Sequence, residues 1–164
     1  MTLAFRSEYK GISKANVLLP QEWLTANLDR LTASPSAAEG KSFRLMAHCT
    51  ERTNAPASVA QWQKVFESLG IDLQAAQTGC CGMAGTFGHE ARNRPIAERL
   101  YALSWKPELD AAGDADILMA TGYSCRSQVK EIDDRRIPHP LQVIARIVSE
   151  KAEIPHLHTT PPRS

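Results

Sequence analysis

One pattern recurs along most of this chain and restricts what it can fold into. A short apolar run leads into a loop carrying cysteine, glycine or histidine, and an amphipathic helix follows. The runs are residues 43–47, 71–76 and 117–121, with Ile137 as the remnant of a fourth before Pro138-His139-Pro140. Short apolar runs alternating with helices predict an α/β domain, a small parallel sheet of about four strands with helices on both faces. Ligands of such sheets gather beyond the carboxyl ends of the strands. All four cysteines, Cys49, Cys80, Cys81 and Cys125, stand at those ends.

The helices follow from spacing. Val59, Trp62, Val65, Phe66 and Leu69 make a stripe that Ser58 caps and Gly70 ends. Ile96, Leu100 and Leu103 are expected to face inward from a helix over 90–105, with Pro95 starting or breaking it. A polar helix follows Cys125, and Leu141, Ile144, Ile147 and Val148 define a last amphipathic one. Before this array, residues 16–20 suit a short edge strand, and Pro20 starts a helix whose face is Trp23, Leu24, Leu28 and Leu31. The expected organisation is an extension with one helix and a linker (1–40), a cysteine-rich domain (41–153) and a flexible tail (154–164).

Composition narrows the chemistry. The chain has 164 residues, 43% hydrophobic and 23% charged, with 19 basic against 18 acidic side chains. That size suits one domain, and the even charge argues against nucleic acid or an acidic membrane surface as main partner. No apolar run approaches the ~20 residues of a membrane span, and the first residues lack the apolar core of a secretory signal. A cytoplasmic, reducing location follows as an expectation, in which clustered cysteines serve as metal ligands or redox groups more often than as disulfides.

The densest chemistry lies in residues 78–90, TGCCGMAGTFGHE. Adjacent thiols bond poorly to each other but can be presented together to one external object. Four thiolates at one sheet rim suit zinc or an iron–sulfur cluster, including a 4Fe-4S cluster. Other readings of the same residues are small buried hydrophobes, an acidified thiol at Cys81 or Cys125, or a disulfide from Cys49 to one of the pair. His48, His89 and His139 are weaker candidate ligands, whereas His156 and His158 fall in the tail. Arg126 and Lys130 are placed to meet an anionic substrate or cluster, or simply solvent. No dinucleotide fingerprint or P-loop lysine occurs, and the pattern assigns no catalytic residue.

Three segments, His48-Cys49-Thr50-Glu51, the loop from Gly79-Cys80-Cys81-Gly82 to Gly88-His89-Glu90, and Ala120-Thr121-Gly122-Tyr123-Ser124-Cys125-Arg126-Ser127, resemble the cysteine-rich CCG domain. The likeness is nearest to the C-terminal CCG domain of bacterial FAD-linked 2-hydroxyacid dehydrogenases of the D-2-hydroxyglutarate and D-lactate type. Related domains belong to heterodisulfide reductase and to the iron–sulfur subunits of glycerol-3-phosphate and glycolate oxidases. The resemblance implies a metal- or iron–sulfur-binding redox module of an oxidoreductase, working in electron transfer or at the substrate site. Its partners would be FAD-binding and ferredoxin-like domains or subunits, with membrane association only peripheral, through the complex. Gly122 stands where the family's closing Cys-x-x-Cys has its first cysteine, leaving four thiols, enough for a cubane cluster or zinc. The flavin and ferredoxin-like regions are not in this sequence, so a C-terminal module, as a fragment or a separate subunit, is expected. The alternatives are a non-catalytic docking domain with vestigial cysteines and a thiol-disulfide redox protein.

Overall fold

The computed structural model describes residues 2–8, 16–31 and 38–149. Strands β1 (Ser42–Met46), β2 (Leu73–Ala75) and β3 (Asp116–Ala120) form one parallel sheet in the order β2-β1-β3. The register places Phe43 beside Leu73 and Ile117, and Met46 beside Ala120. The helices are α1 (Thr2–Glu8), α2 (Pro20–Thr25), α3 (Cys49–Asn54), α4 (Ser58–Ser68), α5 (Arg94–Asp110), α6 (Tyr123–Asp133) and α7 (Pro140–Val148).

Strand alternation sorts the side chains into two cores. Phe43, Leu45, Ile117 and Met119 point to one face, where they meet Trp62, Val65 and Phe66 of α4, Val143 and Ile147 of α7, and Leu24 of α2. Met46, Leu118 and Ala120 point to the other, against Tyr101, Trp105 and Leu109 of α5 and Val129 of α6. The α/β expectation, with helices on both faces, is therefore met. At the end of α4, Gly70 takes φ +75° while its N–H bonds Glu67 and the Ile71 N–H bonds Phe66, the paired bonds that turn the chain into β2.

Several details differ from the expectation. The sheet has three strands among the described residues. Near Ile137 the chain supplies one bond, from the Ala120 N–H to the Pro138 carbonyl at 3.0 Å, since Pro138 and Pro140 have no N–H with which to extend a ladder. The buried stripe of α5 is Ala97, Tyr101, Trp105 and Leu109, while Ile96 and Leu103 are exposed. Two stripes offset by one residue compete there, and the one holding both large aromatics buries more apolar surface. Residues 16–19 form no strand, and α2 is short, followed by a single tight turn at Leu28–Arg30. Trp23 is half exposed. Ser58 is the first residue of α4 rather than its cap, its hydroxyl buried among side chains. The first residues, read as patternless, include α1, whose Arg6 pairs with Glu22 at 2.9 Å. Residues 32–37 of the linker and the tail with His156 and His158 lie outside the described residues.

Candidate metal centre

Three loops at the carboxyl ends of the strands carry the thiols. The β1–α3 turn delivers Cys49 as the first residue of α3, with His48 as the N-cap. The β3–α6 turn delivers Cys125 in the first turn of α6, with Gly122 as the N-cap. The long β2–α5 loop delivers Cys80 and Cys81, and it is pinned from both sides. Arg52 Nη1 of α3 donates to the Thr78 carbonyl. From α5, Trp105 Nε1 donates to the Gly79 carbonyl at 3.0 Å, and Ser104 Oγ accepts from the Gly79 N–H at 2.8 Å. Gly82 then takes φ +87°, and a Cβ there would stand 2.3 Å from the Ala97 carbonyl oxygen. Only glycine combines that conformation with that approach to α5.

The four sulfurs meet in pairs. The thiols of Cys81 and Cys125 are in hydrogen-bonding contact and both are buried. Cys80 and Cys49 make the second contact, and both are half-buried. The hydrogen bond from Cys125, aided by the Met83 N–H and opposed by burial, lowers Cys81 to about 7. Cys125 is pushed upward by the same contact and by burial. The contact thus favours the thiolate at Cys81, with Cys125 as its donor. Burial also raises Cys80, against the Gly82 N–H that reaches its sulfur at 3.4 Å. All four cysteines are free thiols, so the expected option of a disulfide from Cys49 is not formed. Among the described residues no group of three or more His, Cys, Asp or Glu side chains is already gathered as a metal site; the contacts are pairwise.

The three candidate histidines go to different places. The His48 N–H donates to Thr121 Oγ1 at 3.0 Å, and burial lowers the pKa of its ring although Glu51 opposes this. His139 caps α7, its Nδ1 accepting from the Leu141 N–H at 3.1 Å, with its ring edge-on to Trp62 at 5.7 Å. Burial and then Arg126 lower His139 to about 4. His89 closes a tight turn and lines a cavity of about 290 Å³ with Met83, Arg94 and Gln128, among whose lining residues no cysteine occurs. Arg126 lies over the Tyr123 ring at 5.9 Å, and Lys130 pairs with Asp134 at 3.7 Å.

Sequence reasoning missed the residues that hold the loops. Arg52, Ser104 and Trp105 act on backbone atoms far along the chain, and no local spacing marks them. Glu51 is a hub of the same kind. Its Oε1 accepts from Gln21 Nε2 at 3.2 Å, Trp62 Nε1 at 3.4 Å and the Ser58 hydroxyl, tying α2, α3 and α4 together two residues from Cys49. Thr78 Oγ1, one residue before the pinned Gly79, is buried without a partner among the described residues.

Comparison with known proteins places these loops in a family. The family profile of the CCG cysteine-rich domain matches residues 45–130, a span that includes all four thiols. The chain is 51% identical over 148 residues to a D-2-hydroxyglutarate dehydrogenase of Pseudomonas putida, covering 88% of this chain and 14% of that protein. It is 39% identical over 153 residues to the D-2-hydroxyglutarate dehydrogenase of Escherichia coli K12, covering 90% of this chain and 15% of the relative. It is also similar to one subunit of the anaerobic glycerol-3-phosphate dehydrogenase of E. coli K12, 26% identical over 157 residues, 90% of this chain and 38% of that polypeptide. The chain therefore spans a small part of the length of these relatives. No solved structure matches it significantly. Among the described residues no helix is long and apolar enough to cross a membrane.

Proposed function

This chain belongs to the cysteine-rich CCG domain family, and on that premise we propose that it is a metal- or iron–sulfur-binding redox module of an FAD-linked 2-hydroxyacid oxidoreductase. The observation that carries the reading is the meeting of Cys49, Cys80, Cys81 and Cys125, from three separate loops, as two contacting pairs at one end of the sheet. The donor set fits such a group. The sulfurs are soft donors, the contact with Cys125 lowers the Cys81 thiol, and the Gly82 and Met83 N–H groups are turned toward sulfur.

Cys81 and Cys125 would hold the inner side of a 4Fe-4S cluster or zinc ion, and Cys49 and Cys80 the outer side. When bound, a cluster supplies one-electron transfer and zinc supplies Lewis acidity. The role of the protein is to hold the thiolates against rearrangement. Arg52, Ser104 and Trp105 do this by fixing the backbone at Thr78 and Gly79 before the first sulfur. The flavin would reside on a separate FAD-binding domain or subunit, with ferredoxin-like domains as further partners. The much greater length of the similar dehydrogenases supports that division.

The contact between Cys81 and Cys125 favours a second reading, a dithiol that cycles with a disulfide. Anaerobic reconstitution with iron and sulfide, and separately with Zn²⁺, tests both. The redox-module reading expects visible cluster absorption or one bound Zn²⁺, lost when Cys80 and Cys81 are both changed to serine. Wild-type protein that takes up neither metal, yet loses two titratable thiols on mild oxidation, would establish the dithiol instead.

A further inference from the structure

Gly122 is the rim glycine that stands against both a histidine and a thiol. A Cβ built there would stand 2.5 Å from His48 Cδ2, 2.9 Å from His48 Cγ and 2.7 Å from Cys125 Sγ, closer than side-chain carbons pack. The backbone at Gly122 is ordinary and extended, φ −77° and ψ 130°. Glycine is therefore needed for space and not for conformation. The imidazole and the buried thiol share the room that any side chain at 122 would fill. The loop that holds His48 is fastened beside this room through the His48 N–H on Thr121 Oγ1. Among the described residues neither ring nitrogen of His48 has a hydrogen-bond partner. By contrast, His139 commits its Nδ1 to the α7 cap, and His89 lines a cavity without cysteines.

We propose that His48 is a nitrogen donor of the centre, entering beside Cys125, and that the bare Gly122 is what admits it. The proposal rests on reading the four thiols as a metal centre and deepens that reading from a sulfur-only set to a mixed sulfur–nitrogen one. Imidazole and thiolate together suit zinc or iron, and a ring nitrogen not committed elsewhere is the donor such a centre can use.

Co²⁺ is a suitable probe, because thiolate-to-cobalt charge transfer reports the sulfurs while electron–nuclear double resonance reports nitrogen. The whole chain, with ¹⁴N- or ¹⁵N-labelled histidine, is loaded anaerobically with Co²⁺. The expected wild-type result is charge-transfer absorption plus a nitrogen coupling that changes with the histidine isotope. His48→Ala should keep the absorption and lose the coupling. Gly122→Ala, which retains His48 but fills the space it shares with Cys125 Sγ, should lose the coupling as well, and His48→Gln, which keeps a polar side chain without the imidazole, decides the matter if His48→Ala fails to fold. His89→Ala should keep both signals. A wild-type protein with charge transfer but no nitrogen coupling, or a coupling that survives His48→Ala, overturns the role of His48 and leaves the four-thiol centre standing. A wild-type protein without charge transfer takes down the centre and this proposal together.

Discussion

The two thiol pairs lie side by side yet belong to different parts of the molecule. Cys81 and Cys125 are members of the core between the sheet and helices α5 and α6, exposed by only 2% and 1%. Cys49 and Cys80 sit at the mouth, half-buried, one opening a short helix and the other inside the glycine loop. Burial disfavours charge on both inner thiols at once, because two thiolates in a low-dielectric site would repel. At the mouth, burial and the contact with Cys49 also raise Cys80, but these sulfurs are open to solvent. The comparison teaches that the inner sulfurs are part of the fold before they are part of any chemistry, while the outer ones are chiefly accessible thiols.

The largest expected effect breaks the support of the inner pair. Trp105→Ala removes a fully buried indole and its bond to the Gly79 carbonyl, and should cost about 3–5 kcal/mol in urea unfolding. Leu103→Ala, two residues away and 77% exposed, should change stability by less than about 0.5 kcal/mol. Equal effects would mean that the buried face of α5 has been misassigned.

The next effect concerns the pairs themselves in metal-free protein. Cys125→Ser buries a hydroxyl and disturbs the contact with Cys81, and should cost about 1–3 kcal/mol. Cys80→Ser at the mouth should stay within about 0.5 kcal/mol. Thermal or urea unfolding of the two variants checks the ratio, and a costlier Cys80→Ser would reverse the assignment of inner and outer.

A pH effect sharpens the contrast from the opposite face of the sheet. His139 is held neutral, with its pKa lowered to about 4, so between that value and the ordinary 6.5 the unfolded chain binds more protons than the folded one. The contribution of His139 to stability should therefore fall as pH drops from about 6.5 toward 4 and should be level above that window. The loss is about 1–2 kcal/mol, reduced from the full linkage because the ring is partly solvated. His139→Gln should flatten this part of the profile, and an unchanged slope would assign it to other groups.

How much of this was legible in the sequence depends on whether the signal is local. The three apolar runs marked the strands because parallel strands covered on both faces are mostly apolar, with Arg44 and Gln74 as polar interruptions, and the cysteines follow in the loops beyond their ends. Gly82 and Gly122 were visible as glycines near thiols, but the reasons for them, Ala97 and His48, lie elsewhere in the chain. The face of α5 was ambiguous because Ile96-Leu100-Leu103 and Ala97-Tyr101-Trp105-Leu109 are both helical stripes. Tertiary packing chose the aromatic one. The hub at Glu51 was hidden for the same reason, since its partners Gln21, Ser58 and Trp62 come from two other helices.

The smallest structural effect is also the most direct test of the central claim, that four thiols form one site. In the metal-free protein, brief alkylation followed by mass spectrometry should label Cys49 and Cys80 before Cys81 and Cys125. After loading with one equivalent of Zn²⁺, or after reconstitution with iron and sulfide, all four cysteines should become protected together. Protection of only one pair, or labelling that is indifferent to metal, would contradict a single four-thiol centre.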